Sequence, residues 1–157
     1  MNKCFGKIKD FVPVREEGTR VVVSYGMEKV NKTYAEWREV ALGRKQVPNV
    51  GLKEVKEAVI NDINSRVKEA IVSGFVWNDK PVWLSVENQL NFSQGVVPVT
   101  LKIGEQEDGT PIYHKFDTDE ELRAFNDDCN VWKQQCLAEG YKEKDGIDWN
   151  AYKRNFE

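Results

Sequence analysis

Apolar residues recur every three or four positions in one long segment, residues 52–73. Leu52, Val55 and Val59 begin this stripe, and polar residues fill most of the positions between them. This period is typical of an amphipathic α-helix. Gly74 follows, and glycine commonly ends a helix. The pattern therefore predicts a helix over the whole segment.

A second helical pattern begins after Thr118. Leu122 and Phe125 start an apolar stripe with the same spacing. Thr118 and Glu121 have the spacing of a capping box, in which each side chain bonds the backbone N–H of the other. Gly140 is the expected end of this second long helix.

Residues 1–42 are rich in β-branched and aromatic side chains, which favours β-structure. Residues 4–14 and 19–26 are predicted to form the arms of a hairpin, with Arg15–Gly18 as its turn. Residues 33–42 fit either a helix or a strand, and their β-rich surroundings favour a third strand.

Residues 43–51 contain two glycines and a proline, which predicts a linker. It separates a β-rich N-terminal region, residues 1–42, from a domain of residues 52–157. Hairpins predicted around residues 75–84 and 96–116 lie between the two long helices. The expected fold class is α+β, with two long amphipathic helices packed on short antiparallel β-hairpins.

The first of these hairpins is unusually aromatic. A turn centred on Asp79 and Lys80 pairs Trp77 with Val82 and gives the two faces of the hairpin different compositions. A lone hairpin is marginal in water, so the larger face should be buried. The larger face comprises Phe75, Trp77, Val82 and Leu84. The other face carries Val76 and Trp83.

Three aromatic residues are candidate interface residues. Trp83 shares its face of the hairpin only with Val76, so little apolar area is predicted to cover it. Trp149 and Tyr152 lie three residues apart in a predicted short C-terminal helix. Trp and Tyr are enriched at interface hot spots. In an alternative interpretation Trp83 stacks on a sugar ring, and Asn78 and Asp79 bond its hydroxyl groups.

Composition narrows the function classes. The 157 residues carry a net charge of −3, and no basic run exceeds two residues, which argues against a nucleic-acid partner. The apolar runs are shorter than a membrane span needs, and the N-terminus does not resemble a signal peptide. Synthesis in the cytoplasm is therefore expected. The three cysteines suggest no disulfide framework, and Cys129 and Cys136 are expected to be buried.

Catalytic chemistry is not indicated. His114 is the sole histidine and lies in a predicted strand, without a neighbouring nucleophile motif. The acidic residues 117–121 coincide with a helix N-terminus, where carboxylates are favoured without any metal. No glycine-rich phosphate loop occurs. We expect no enzymatic activity, no cofactor and no metal.

Residues 52–149 resemble a domain of unknown function that is encoded by phages and prophages of gut bacteria, often among virion structural and tail-fibre genes. The resemblance is carried by Gly74-Phe75, Trp77, Trp83-Leu84 and residues 87–89 (Glu-Asn-Gln). It implies a virion component made in the host bacterial cytoplasm, and it transfers no active-site residue.

The expected function is that of a non-enzymatic virion accessory protein, either a fibre component or an adaptor. It would act as a homo-oligomer and through contacts with other virion proteins. Two alternatives remain: a carbohydrate-binding module that contacts the host surface, and a cytoplasmic helper of virion assembly.

Overall fold

The computed structural model describes residues 3–157, which form a mixed α+β structure with a β-rich N-terminal region. The predicted class is confirmed at this level. The strand pairs within these residues are antiparallel and lie in one four-stranded and two two-stranded sheets. The chain divides into two compact units. Unit one comprises residues 3–65 and Tyr141–Glu157, and unit two comprises Arg66–Gly140.

The helices differ in length: α1 and α3 have 22 and 27 residues, whereas α2 and α4 have eight and four. Short 3-10 turns cover Ile8–Asp10 and Arg154–Phe156. The helices are α1 (Leu52–Ser73), α2 (Val86–Ser93), α3 (Asp119–Asp145) and α4 (Asn150–Lys153). The strands are β1 (Cys4–Lys7), β2 (Val14–Glu17), β3 (Arg20–Lys29), β4 (Tyr34–Gly43), β5 (Phe75–Trp77), β6 (Lys80–Val82), β7 (Val99–Glu105) and β8 (Pro111–Phe116).

The sheet of unit one has the strand order β1-β4-β3-β2. The third strand expected at residues 33–42 is confirmed as β4. The predicted hairpin is wrong in detail. The start of its first arm, β1, pairs with β4, and only the end of that arm, β2, pairs with β3. The turn lies at Gly18 and Thr19, where Gly18 has φ +61°. Arg15 belongs to a strand, and its guanidinium binds Glu39 on β4 at 2.9 Å.

Both faces of β3 are covered, since Val21 through Tyr25 are all buried. The hydroxyl of Tyr25 donates to the Asp62 carboxylate in α1. The hydroxyl of Tyr152 in α4 donates to the carbonyl oxygen of Ser24 at 2.6 Å. The first half of α1 and the C-terminal segment therefore complete the core of unit one.

The division between the units differs from the predicted one. Residues 43–51, the predicted linker, lie inside unit one. The boundaries fall within helices, after Ser65 in α1 and after Gly140 in α3. Glycine and proline mark a connection between two elements, but they do not show whether those elements belong to different units. Here the connection leads from β4 into the first half of α1, which belongs to the same unit.

The β5–β6 hairpin of unit two has a two-residue turn, Asn78 and Asp79, with φ +49° and +61°. These values are those of a type I′ turn, which matches the twist of the flanking strands. The predicted centre at Asp79 and Lys80 is wrong. Phe75 pairs with Val82, and Trp77 pairs with Lys80. Each residue of β5 therefore pairs two positions earlier on β6 than predicted. Side chains of a strand alternate between its faces with a period of two, so every side chain still lies on its predicted face.

The two hairpins of unit two meet at Gly104 in β7. A Cβ atom at this position would lie 2.3 Å from the carbonyl oxygen of Pro81, so only glycine permits the approach. The backbone N–H of Trp83 donates to the carbonyl oxygen of Ile103 at 2.8 Å. This bond and the close approach at Gly104 hold the two hairpins together, although each remains a separate two-stranded sheet.

The core of unit two contains aromatic residues from several elements, and Phe92, Phe116 and Phe125 are almost fully buried. Ring centroids of Phe125 lie 5.1 Å from Phe92 and 4.8 Å from Trp77. Val82 and Leu84 are also fully buried. The larger face of the aromatic hairpin is therefore core, as predicted.

Thr118 caps the start of α3 as predicted, but the helix does not end at Gly140. The backbone N–H of Glu121 donates to the Thr118 hydroxyl at 3.2 Å, but the Glu121 carboxylate accepts from Asp117 instead of Thr118. The helix continues through Gly140 to Asp145. Gly140 is buried, and a helix tolerates an interior glycine at a cost of about 1 kcal/mol.

Candidate functional site

Trp83 combines a fixed backbone with an exposed ring. Its N–H is bound to Ile103, and its carbonyl oxygen accepts from the Asn88 side chain at 2.9 Å. The residue is nevertheless 36% exposed, and Val76 on the same face is 62% exposed. This face of the hairpin thus presents a large apolar side chain on a rigid support.

The other two interface candidates, Trp149 and Tyr152, lie in unit one and are less exposed than Trp83. Tyr152 is buried and bonds Ser24, so its prediction as an interface residue is corrected: it belongs to the core. Trp149 is half-buried, with the Lys56 ammonium 5.7 Å from its ring centroid. Trp83 is therefore the candidate with the most accessible position on a rigid support.

The turn residues Asn78 and Asp79 are exposed, as a sugar-binding role would require. Asp79 precedes Trp83 by four residues, which is about 13 Å along an extended strand. One sugar ring cannot stack on Trp83 and also reach this turn. The structure does not bring the predicted sugar contacts together around a single ring.

A groove of about 630 Å³ runs between α2 and α3 in unit two. Its floor is apolar, with Leu84, Phe92 and Leu122 buried beneath it. Its α2 wall carries Val86 and Leu90, which are 83% and 53% exposed. Such a cluster of exposed apolar side chains is typical of a binding surface.

Hydrogen bonds fix both walls of this groove. In the middle, the Asn126 amide nitrogen donates to the carbonyl oxygens of Phe92 and Leu122, at 2.9 and 3.1 Å. Near the start of α2, the Gln89 side chain donates to the carbonyl oxygen of Leu84 at 2.8 Å and accepts from Lys133 at 3.0 Å. These hydrogen bonds hold α2 and α3 in position along the groove.

Sequence reasoning missed this groove. The signal that could have found it is the pair Val86 and Leu90, which lie one helical turn apart in a short predicted helical segment. Ser85 caps this helix, and its side chain accepts from the backbone N–H of Asn88 at 3.2 Å. Because α2 has only eight residues, its sequence is too short for an apolar period to reveal an exposed face.

His114 has a structural environment. Its Nε2 lies 2.9 Å from a carboxylate oxygen of Glu121, and its ring packs against Trp77 with centroids 4.9 Å apart. The hydrogen bond to His114 holds the pKa of the Glu121 carboxyl below its ordinary value, with a smaller contribution from the Asp117 N–H. This cluster ties β8 to the first turn of α3.

The cysteine thiols of unit two are buried, as predicted. Burial raises the pKa of Cys129 to about 12 and also raises the pKa of Cys136. In unit one, burial and the nearby Glu39 carboxylate raise the pKa of Cys4. Thiolates are the reactive form of cysteine, so these environments suppress its reactivity.

A two-pronged ion pair in unit one is also structural. Arg15 contacts both carboxylate oxygens of Glu39, at 2.9 and 3.2 Å, and Trp37 donates to the same carboxylate at 3.3 Å. The hydrogen bond from Arg15 lowers the pKa of Glu39. These contacts link strands β2 and β4 across β3.

Within residues 3–157, no group of three or more His, Cys, Asp or Glu side chains is arranged to hold a metal ion. None of the helices in this part of the chain is both long and apolar enough to cross a membrane. Comparison of the chain with models of protein families, with curated proteins and with solved structures gives no match.

Proposed function

We propose that the chain is a non-enzymatic accessory protein of a phage virion, either a fibre component or an adaptor. It acts through self-association and through contacts with other virion proteins. The resemblance of residues 52–149 to a phage-encoded domain supplies the link to the particle. The physical argument concerns the surface of unit two.

The exposed ring of Trp83 is the observation that carries this proposal. A tryptophan that is more than one-third exposed beside the exposed Val76 leaves apolar area in water. Its backbone is bonded on both sides, so docking a partner there requires little ordering of the chain. Large aromatic side chains on rigid supports are typical anchors of protein interfaces.

The residues that carry the resemblance also support a structural role. A Cβ atom at Gly74 would lie 2.6 Å from the Ala70 carbonyl oxygen and 2.9 Å from the Trp132 ring. The side chains of Asn88 and Gln89 bond the carbonyl oxygens of Trp83 and Leu84. These residues thus hold the backbone around Trp83 in place, and the contacts given for them are those of packing and hydrogen bonding.

The experiment that tests the proposal is mass spectrometry of purified particles of the phage that encodes the chain. We expect the chain in stoichiometric amount, retained after washing in high salt. Its absence from particles, combined with abundance in infected cells, would favour the assembly helper and overturn the proposal.

A carbohydrate-binding module is the second candidate, because the exposed Trp83 ring also suits stacking on a sugar. Titration of the purified protein with host surface glycans, followed by tryptophan fluorescence, separates the two candidates. A saturable change that is lost in Trp83→Ala would favour glycan binding. We expect no such change.

A further inference from the structure

Both outer strands of the unit-one sheet direct backbone groups out of the sheet. At the β1 side, the N–H of Ile8 donates to the carbonyl oxygen of Thr33 at 2.8 Å, which continues the ladder between β1 and β4. Bonded and non-bonded pairs alternate along an antiparallel ladder, so the N–H and C=O groups of Phe5 and Lys7 point away from β4. Within residues 3–157 these groups make no hydrogen bond.

The β2 side has the same arrangement. The N–H of Ser24 donates to the carbonyl oxygen of Pro13 at 3.0 Å and continues the ladder between β2 and β3. By the same alternation, the backbone groups of Val14 and Glu16 point away from β3, and none of them is hydrogen-bonded in the described part of the chain. An edge with free N–H and C=O groups is a template for a further strand.

The two edges are matched in direction. Each strand of this four-stranded sheet runs antiparallel to its neighbour, so β1 and β2 run in opposite directions. When two copies lie side by side in the same orientation, β1 of one copy is therefore antiparallel to β2 of the next. The pairing inside the sheet thus continues without change from one copy to the next.

Side chains of the two edges also project from one face of the sheet. Phe5 is opposite Glu36 on β4. Val14 is opposite Val23, and Val23 is opposite Val40 on β4. Glu36 and Val40 are four residues apart, so they share a face of the strand. Phe5 and Val14 consequently share that face, and they still share it when two copies are placed side by side.

One register of the two edges pairs side chains of matching character. It sets Phe5 of one copy opposite Val14 of the next, and Lys3 opposite Glu16 of the next. Phe5 is 63% exposed and stacks on Tyr34 with ring centroids 5.3 Å apart, so the contact covers apolar area that now lies in water. Apolar pairs and opposite-charge pairs across two strands both stabilise a sheet.

The charged side chains of this register take part only in exposed ion pairs within residues 3–157. Lys3 lies 3.2 Å from Glu28 and 3.9 Å from Glu36, and Glu16 binds Arg44. Exposed ion pairs contribute little to stability. Lys3 and Glu16 are therefore able to exchange these partners for each other when two copies meet.

We propose that β1 of one copy binds β2 of a second copy, so that their sheets join head to tail. The proposal deepens the self-association within the proposed function and rests on it in that respect. Pairing two β1 strands about Phe5 would instead set Lys3 opposite Lys7, and like charges opposite each other are destabilising. A head-to-tail contact leaves one edge open at each end, so the assembly grows into filaments or closes into rings.

The first test blocks each edge with a proline. Phe5→Pro and Glu16→Pro each remove an N–H that points out of the sheet, so the strand pairing within the copy is kept. The proline ring and the missing donor should weaken assembly at least about 30-fold in either variant. Sedimentation equilibrium of the full chain over a range of concentrations measures this weakening, and thermal melts check that the fold persists.

A mixture of the two proline variants is the decisive sample. Phe5→Pro keeps an open β2 edge and Glu16→Pro keeps an open β1 edge, so the two variants together have one complete contact. We expect each variant alone to be monomeric and the equimolar mixture to form a heterodimer that grows no further. Wild type at the same concentration should exceed the mass of two copies. A mixture that stays monomeric, although both variants melt near the wild-type temperature, overturns the edge pairing.

The second test exchanges the charges and keeps every backbone donor. Lys3→Glu and Glu16→Lys should each weaken assembly about fivefold, and the double variant should recover most of this loss. Lys9→Glu is the control, because Lys9 is exposed but lies in the turn that follows β1. The control should stay within about twofold of wild type. A double variant that is weaker than both single variants overturns the pairing of β1 with β2.

The outcomes separate this assignment from the proposed function. An assembly that all the edge variants leave unchanged forms through another surface, which overturns the edge pairing and leaves self-association standing. Weakening by Phe5→Pro without weakening by Glu16→Pro shows that β1 pairs with itself, and this overturns the head-to-tail contact. A chain that stays monomeric at all concentrations overturns both the edge pairing and self-association. Its presence in purified particles then decides the virion role separately.

Discussion

Trp132 donates its indole N–H to the carbonyl oxygen of Ala70 at 3.0 Å, while its ring stacks on Phe75 with centroids 6.0 Å apart. Trp83 lies in the same unit but projects from it. Trp132 thus packs against the core of unit two, whereas Trp83 is supported at its surface.

We expect Trp132→Ala to lower the free energy of unfolding by about 3 kcal/mol, because it removes both ring packing and a hydrogen bond. Trp83→Ala should cost about 1 kcal/mol or less and should mainly weaken partner binding. Urea unfolding of both variants checks this. A loss of several kcal/mol in Trp83→Ala would make Trp83 a core residue and end its interface assignment.

Tyr152→Phe should lower the free energy of unfolding by about 1–2 kcal/mol. The substitution leaves the carbonyl oxygen of Ser24, a fully buried residue, without its hydroxyl donor. Tyr141→Phe is the matched control, because Tyr141 is exposed in the same unit. Equal effects of the two substitutions in urea unfolding would contradict the role assigned to the Tyr152 hydroxyl.

Glu121 makes the stability of unit two depend on pH. Its pKa is depressed in the folded chain by His114. Its stabilising contribution is therefore present above the ordinary glutamate pKa of about 4.3 and disappears as the pH falls through the folded pKa. Glu121→Gln should be less stable than wild type at pH 6, and this difference should shrink toward pH 3.

Urea unfolding between pH 3 and 6 measures this difference. Glu120→Gln, on the same helical turn, makes a suitable control because no side-chain hydrogen bond of Glu120 occurs within residues 3–157. A constant gap between Glu121→Gln and wild type over the whole range would show that the carboxylate contributes nothing that depends on pH.

Cys129 should resist alkylation in the folded protein. With a pKa of about 12, about one thiol in ten thousand is ionised at pH 8, and burial further hinders the reagent. Iodoacetamide labelling followed by peptide mass spectrometry should find Cys129 unmodified in native protein and modified in urea. Rapid labelling of the native protein would contradict the buried position.

The sequence predicted those elements whose signal is local. The predicted helix over residues 52–73 is confirmed as α1, because an apolar stripe with helical spacing is a local signal that runs along the whole element. The turn of the aromatic hairpin was predicted one residue too late. Asn78 and Asp79 both take positive φ without a glycine, which is the usual signal for this turn.

The candidate site was predicted only in part, because it depends on distant pairings. The face of Trp83 follows from strand alternation and was predicted. The burial of Tyr152 depends on Ser24, which is 128 residues away in the chain. The groove arises where α2 lies along α3, and no local pattern records that placement.

Unit one is built from both ends of the chain, and this has a consequence for synthesis on the ribosome. Its sheet is made first, yet the hydroxyl that bonds Ser24 arrives with residue 152 of 157. All of Arg66–Gly140 has been translated by then. The sheet therefore lacks the hydroxyl that bonds Ser24 until synthesis has almost reached residue 157, and a product that is truncated before residue 152 would leave part of β3 uncovered.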